Sequence, residues 1–162
     1  MNITSEELFE FFQENKICES LTLNEVDTMT RYLKEKEFEP HEIITDMGEV
    51  GSSMYFIFQG KVAFTSSDGK SELMIGKQET GNLIGEMSFF DGVPRQLRMT
   101  AGKNPVKLIE ITKPMYDRLK VECPYIAVNL LENAVVSLDL LVREVSGDLS
   151  HIGNYMFGGG KR

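Results

Sequence analysis

The chain reads as a mainly β fold with flanking helices, built from short strands in a sandwich or jelly roll. Three observations predict this. Residues 41–112 alternate apolar and polar over short runs, and glycine interrupts them every several residues. Both flanks abandon that period of two for helical spacings of three and four. A length of 162 residues with 41% hydrophobic and 26% charged residues suits one globular core. The organisation expected is one domain over residues 1–149, helical over 1–40, a β-roll over 41–112 and helical again over 113–149. A glycine-rich tail occupies 150–162.

Thr4 or Ser5 can cap a first helix reaching residue 15, with Leu8, Phe11 and Phe12 on one face. Thr22-Leu23-Asn24-Glu25 is a capping box, and the helix it opens runs to about Lys34 with Val26, Met29 and Leu33 as its stripe. Strand patterning follows. Met54, Phe56 and Phe58 alternate with Tyr55 and Ile57, and Val62 and Phe64 alternate with Lys61, Ala63 and Thr65. Asp68-Gly69 is a hairpin turn signal, and Leu73 and Ile75 continue the period of two. Residues 113–120 return to a short helix, and Pro124 opens a long one to about Ser146.

That last helix is more apolar than a surface helix requires. Ala127, Leu131, Ala134, Leu138, Leu141 and Val145 follow a heptad spacing, and Val128, Val135 and Val142 form a second stripe beside it. Two apolar faces need two partners. One is the β-roll. The other is either the same helix of a second copy, giving a homodimer, or the N-terminal helices. Gly147 begins a segment that ends Gly158-Gly159-Gly160-Lys161-Arg162, expected to be flexible unless docked.

A net charge of −8 argues against nonspecific nucleic-acid binding and against docking on an anionic membrane. No apolar run approaches a bilayer span, and residues 1–16 are too polar and acidic for a leader. Cys18 and Cys123 have no metal-like spacing and read as reduced thiols of a cytoplasmic protein. His41 and His151 are equally unpaired in sequence. Gly69-Lys70-Ser71 resembles the end of a phosphate loop, but the earlier glycine that motif requires is replaced by Phe64. No nucleophile elbow, zinc signature or dinucleotide pattern is present. The reading is therefore non-enzymatic, with no catalytic residue, metal or cofactor expected.

The most informative stretch is Gly85-Glu86-Met87-Ser88-Phe89-Phe90-Asp91-Gly92-Val93-Pro94-Arg95. It places an acid after a glycine and an arginine after an Asp-Gly turn. Such a loop can hold a polyol and an anion together. Glu86 can accept from a sugar hydroxyl, and Arg95 can offer its donor fork to a phosphate. Backbone N–H groups of a short helical turn add anion donors.

At these residues the chain resembles the cyclic nucleotide-binding domain family, which includes the catabolite activator protein and the regulatory subunits of cyclic AMP-dependent protein kinase. Gly85, Glu86, Met87, Ser88, Gly92, Pro94 and Arg95 match its phosphate-binding cassette. Met47-Gly48-Glu49, Ser53-Met54-Tyr55-Phe56-Ile57 and Gly60-Lys61-Val62 match the run before it. The likeness covers roughly residues 21–149. It selects the jelly-roll β-barrel with N-terminal helices and a long C-terminal helix.

It also implies a ligand site of Gly85, Glu86, Met87, Ser88, Pro94, Arg95, Gln96 and Leu97, with Arg98, Leu141 and Val142 as possible additions. Arg95 and cassette amides would hold the cyclic phosphate, and Glu86 the ribose 2′-hydroxyl. Three departures stand out, at Leu97, at Arg98 and at Leu141 with Val142. Leu97 replaces a preferred alanine and would crowd the phosphate. Arg98 replaces a threonine or serine; it is harmless if turned outward and a second cation if turned inward. Leu141 and Val142 fall near positions that contact the base in the family. Both are apolar, so base selectivity is not written there. The function implied is a regulatory sensor that binds a cyclic nucleotide, cyclic AMP ahead of cyclic GMP, and relays a change to a protein effector. The alternative is a degenerate roll without nucleotide binding that serves as a dimeric interaction scaffold.

Overall fold

The computed structural model describes residues 1–157. Among them, helix α1 (Ser5–Glu14) is capped by Thr4, which with Glu7 forms a capping box, and helix α2 (Leu23–Thr30) starts at the expected capping box of Thr22 and Glu25. The Thr4 hydroxyl accepts from the Glu7 N–H at 3.2 Å, and Glu7 accepts from the Thr4 N–H at 2.8 Å. Thr22 and Glu25 repeat the exchange at 3.3 and 2.7 Å. Helix α2 ends at Thr30, not at Lys34. The expected helical segment over 1–40 therefore closes early, because Leu33–Phe38 is strand β1. This strand pairs antiparallel with β8 (Val106–Thr112). Glu35 on β1 also accepts from the Asn2 and Ile3 N–H groups at 2.7 and 3.2 Å and pairs with Lys107 at 3.1 Å.

The remaining strands are β2 (Ile43–Thr45), β3 (Ser53–Gln59), β4 (Lys61–Ser67), β5 (Glu72–Glu79), β6 (Leu83–Ile84) and β7 (Arg98–Ala101). They complete two four-stranded antiparallel sheets, β1-β8-β3-β6 and β2-β7-β4-β5, which form the jelly roll. Strand β3 explains the apolar character of both its registers. Met54 and Phe56 face a helix-side core with Leu8, Phe12 and Leu119, while Tyr55 and Ile57 face an inter-sheet core with Val62, Met99 and Leu108. Phe11 and Phe12 of α1 meet Phe58 and Phe56 at ring distances of 4.9 and 5.4 Å. Leu73 and Ile75 do not continue the buried alternation. They lie exposed on β5, an edge strand whose register with β4 shifts between Phe64 and Thr65.

Helix α3 (Glu86–Asp91) follows β6 directly. Helix α4 (Lys113–Glu122) and helix α5 (Pro124–Phe157) close the chain. The long helix thus continues through Gly147 and takes in part of the segment expected to be a flexible tail; residues 158–162 lie outside the described residues. Ile126, Ala127, Leu130 and Ala134 bury one face of α5 in the helix-side core. Val128, Leu131, Val135 and Val142 are exposed on it. Ala127 and Ala134 therefore belong to the body of the domain and not to an outer seam. The side chains of Leu141 and Val145 lie outside the described residues. Among the described residues no helix is long and apolar enough to cross a membrane.

Candidate functional site

The turn from β6 into α3 builds the site. Gly85 caps α3 with a φ of 79°, a left-handed conformation that glycine adopts without steric cost. The turn sends Glu86 inward at the head of α3, where it is only 7% exposed. Burial raises its pKa above the ordinary carboxylate value, against the opposing pull of its own backbone N–H, Ser137 and Arg95. Its Oε1 accepts from the Ser137 hydroxyl of α5 at 3.0 Å.

Ser88 is the second inward-facing residue of α3. Its hydroxyl accepts from the Gly51 N–H at 2.7 Å and donates to the Val93 carbonyl at 2.5 Å. One side chain thus ties the start of the cassette, its end and the loop before β3. Gly51 must be glycine for this approach, since a Cβ there would stand 2.7 Å from the Phe89 backbone nitrogen. Gly92, with φ of 70°, ends α3 by donating its N–H to the Ser88 carbonyl at 3.0 Å.

Pro94 is exposed, and the chain then turns down to Arg95. The Arg95 backbone is clamped to the loop before β3. Its N–H donates to the Glu49 carbonyl and its carbonyl accepts from the Gly48 N–H, each at 2.8 Å. The half-buried guanidinium donates through Nη2 to the Ser53 carbonyl at 2.9 Å and through Nη1 to the Gly85 carbonyl at 3.3 Å. It makes no ion pair among the described residues. Burial lowers its pKa, with Tyr55, Glu49 and Glu86 acting in the other direction. A cation held on neutral carbonyls in a partly desolvated cradle is matched to an incoming anion.

Arg98 behaves differently. Met99 and Ala101 of β7 point into the inter-sheet core, so alternation turns Arg98 to the outer face. There its Nε meets Asp46 at 2.9 Å and its Nη1 meets Glu72 at 2.7 Å. It is therefore not a second free cation of the cradle. Asp46 has its pKa lowered mainly by this bond to Arg98.

The fold thus brings together Gly85, Glu86, Ser88 and Arg95. Met87 and Gln96 are exposed beside them, and Leu97 is half-buried at the bend before β7. Val142 is 61% exposed on α5, and the Leu141 side chain lies outside the described residues. The expected ligand residues omit Gly51, Ser53 and Ser137. Ser53 lies in the quoted strand motif, so its proximity was open to inference. Ser137 carries no sequence signal at all, being 51 residues from its partner Glu86.

Residues 35–120 match the family model described as the cyclic nucleotide-binding domain, more than half of the chain. The chain belongs to the cyclic nucleotide-binding domain family. A cyclic nucleotide-gated potassium channel of Rhizobium etli is 31% identical over 93 residues, 57% of this chain and 24% of that protein. A cAMP-dependent protein kinase regulatory subunit of Hypocrea atroviridis is 28% identical over 109 residues, 67% of this chain and 22% of that protein. The chain therefore spans about a quarter of the length of these curated relatives. A cyclic nucleotide-binding domain from Methylobacillus flagellatus superposes with a TM-score of 0.76 at 22% identity, over 86% of this chain and 81% of that one. The α3 cradle, with Glu86 and Arg95 at its two ends, lies within the matched residues.

Proposed function

We propose that this cyclic nucleotide-binding domain is a non-catalytic regulatory sensor that binds a cyclic nucleotide at the α3 cradle, cyclic AMP ahead of cyclic GMP. The observation that carries this reading is Arg95, a half-buried guanidinium braced by two carbonyls and without an ion pair among the described residues. Around it stand the α3 amides and the buried acceptor Glu86. A singly charged cyclic phosphate on Arg95 and a ribose hydroxyl on Glu86 use both groups at once. The neutralised Arg98 leaves one cation for one negative charge.

The relay follows from the packing. Phe89 and Phe90 of α3 meet Tyr116 of α4 edge to face, with ring distances of 5.6 Å. The Lys113 ammonium lies 4.8 Å from the Phe89 ring and 5.5 Å from that of Phe90. Movement of the cassette is thereby coupled to α4 and on to α5. The exposed face of α5 is the surface we assign to a second copy of the chain. Val128, Val135 and Val142 recur every seven residues with Leu131 between, and β-branched residues alternating with leucine favour two-stranded helix pairing.

Titration calorimetry with cyclic AMP and cyclic GMP tests the sensor reading, and Leu97→Ala is its companion. Saturable binding of cyclic AMP to the wild type supports it. No binding by wild type, with binding recovered in Leu97→Ala, identifies Leu97 as a block on the phosphate. No binding by either form leaves the dimeric scaffold as the function.

A further inference from the structure

Three consecutive residues at the entry to β3 each hold a different part of the molecule. The Gly51 N–H donates to Ser88 of α3 at 2.7 Å, and the Ser53 carbonyl accepts from Arg95 at 2.9 Å. Between them, the Ser52 carbonyl accepts from the Lys113 N–H at 2.8 Å. Lys113 is the first residue of α4, and its half-buried side chain turns back to the far end of α3. The Val93 N–H, which would continue α3 onto the Phe89 carbonyl, donates to the Asp91 side chain instead, at 2.9 Å. The Lys113 ammonium reaches that carbonyl at 3.4 Å. It also lies 4.8, 5.5 and 5.8 Å from the ring centres of Phe89, Phe90 and Tyr116. These rings meet one another edge to face at 5.0 to 5.6 Å. One cation thus serves an end carbonyl of α3 and sits against three aromatic rings.

We infer that Lys113 is a positioning residue for the cradle: its ammonium fixes the C-terminal end of α3 and so sets where that helix presents Glu86. The ligand-binding consequence rests on the sensor reading given above. Helix α3 is six residues long, so its two ends move as one body. Glu86 stands at the opposite end, and the Gly85 carbonyl just before it accepts from Arg95. Without the cation, the Phe89 carbonyl loses that donor and the helix can shift about its Ser88 ties. Ligand binding must then order what the free chain had already held, which lowers affinity. Lys120 supplies an internal comparison. Its ammonium lies 5.4 Å from the Tyr116 ring and pairs with Asp117 at 2.7 Å, both contacts within α4.

The test titrates wild type, Lys113→Met, Lys113→Arg and Lys120→Met with cyclic AMP. It also follows hydrogen exchange of the Gly92 amide, which closes α3 onto Ser88, in the nucleotide-free chains. Lys113→Met keeps the length and apolar contact of the side chain without its charge. It is expected to bind cyclic AMP about tenfold more weakly, the equivalent of one hydrogen bond from a charged donor. Its Gly92 amide should exchange faster than that of wild type. Lys113→Arg restores both donor and cation and should behave as wild type. Lys120→Met should keep the wild-type Kd, whereas a role confined to the stability of α4 would weaken both methionine variants alike. An unchanged Kd in Lys113→Met, or an equal loss in Lys113→Arg or Lys120→Met, overturns the positioning role while the sensor reading stands. Absence of binding by every form overturns the sensor reading itself; the Gly92 exchange, read without nucleotide, then decides alone whether Lys113 holds α3.

Discussion

Arg95 Nη1 donates to the carbonyl of Gly85 at 3.3 Å, and a Cβ on Gly85 would stand 3.2 Å from both Nη1 and Nη2 of that same arginine. The glycine therefore does two things at one position. Its φ of 79° turns β6 into α3, and its missing side chain lets the guanidinium lie against the turn. The depth of the cation and the entry angle of Glu86 are set by the same residue.

Gly85→Ala should accordingly lose both stability and ligand affinity. A left-handed alanine costs roughly 1–2 kcal/mol, and the guanidinium must also shift. Gly92→Ala is the matched control. It has φ of 70° and nothing within 4 Å of its added Cβ, so it should lose comparable stability and keep its affinity. Denaturant midpoints and calorimetry on the two variants separate the effects; equal losses of affinity would contradict the role given to Gly85.

Removal of the cradle's cation should be severe. Arg95→Ala is expected to lose about 2–5 kcal/mol of cyclic nucleotide binding, the usual loss when one partner of a desolvated charge pair is truncated. That is roughly 30-fold to several thousand-fold in Kd. Arg98→Ala, by contrast, breaks a partly exposed ion pair with Asp46 and Glu72 and should leave Kd unchanged. A larger effect at Arg98 than at Arg95 would reverse their assignments.

The buried carboxylate predicts a pH dependence of stability. Burial raises the pKa of Glu86 in the folded chain above the ordinary value of 4.5. Between that value and the raised one, the folded state holds more protons than the unfolded state. Stability therefore falls as pH rises through this window and stays lower above it. Glu86→Gln cannot ionise, so its stability relative to wild type should improve as pH rises from about 4.5 and then level off. Urea midpoints taken across that range measure the difference directly; a difference that stays flat with pH would contradict the burial-driven shift.

The α5 face can be probed at Val135, which is 58% exposed and central to the outer stripe. If two copies pair there, each apolar side chain contributes about 1.5–3 kcal/mol on burial. Val135→Glu would place a carboxylate against its symmetry mate and should convert a dimer to a monomer. Sedimentation measures the change, with circular dichroism of the β-roll as the control for folding. An unmutated protein that sediments as a monomer would exclude the pairing.

Features with local causes could be read from the chain itself. Thr4 with Glu7 and Thr22 with Glu25 start α1 and α2 because both members of each capping box lie within one turn. Asp68 accepts from the Lys70 and Ser71 N–H groups at 2.9 and 2.8 Å, so the hairpin is made from its own neighbours. The segment from Gly85 to Arg95 carries its own turn, helix and cap. Its family likeness was visible for the same reason.

Features with distant causes were decided only by the tertiary structure. Leu33-Lys34-Glu35-Lys36-Glu37-Phe38 has little strand propensity, yet it is β1 because β8 completes its hydrogen bonds and Glu35 finds Lys107 and the Asn2 and Ile3 amides. Arg98 faces outward because Met99 and Ala101 fill the inter-sheet core, and Asp46 and Glu72 then neutralise it. Ala127 and Val128 are neighbours in one apolar run, but only packing against the roll shows that the first is buried and the second is free. The bond between Ser137 and Glu86 is the extreme case. Its members are 51 residues apart, and no periodicity or motif joins them. A sequence states what each residue offers to its near neighbours. Which distant group accepts the offer depends on how sheets and helices close around a common core, and that closure is a property of the whole chain.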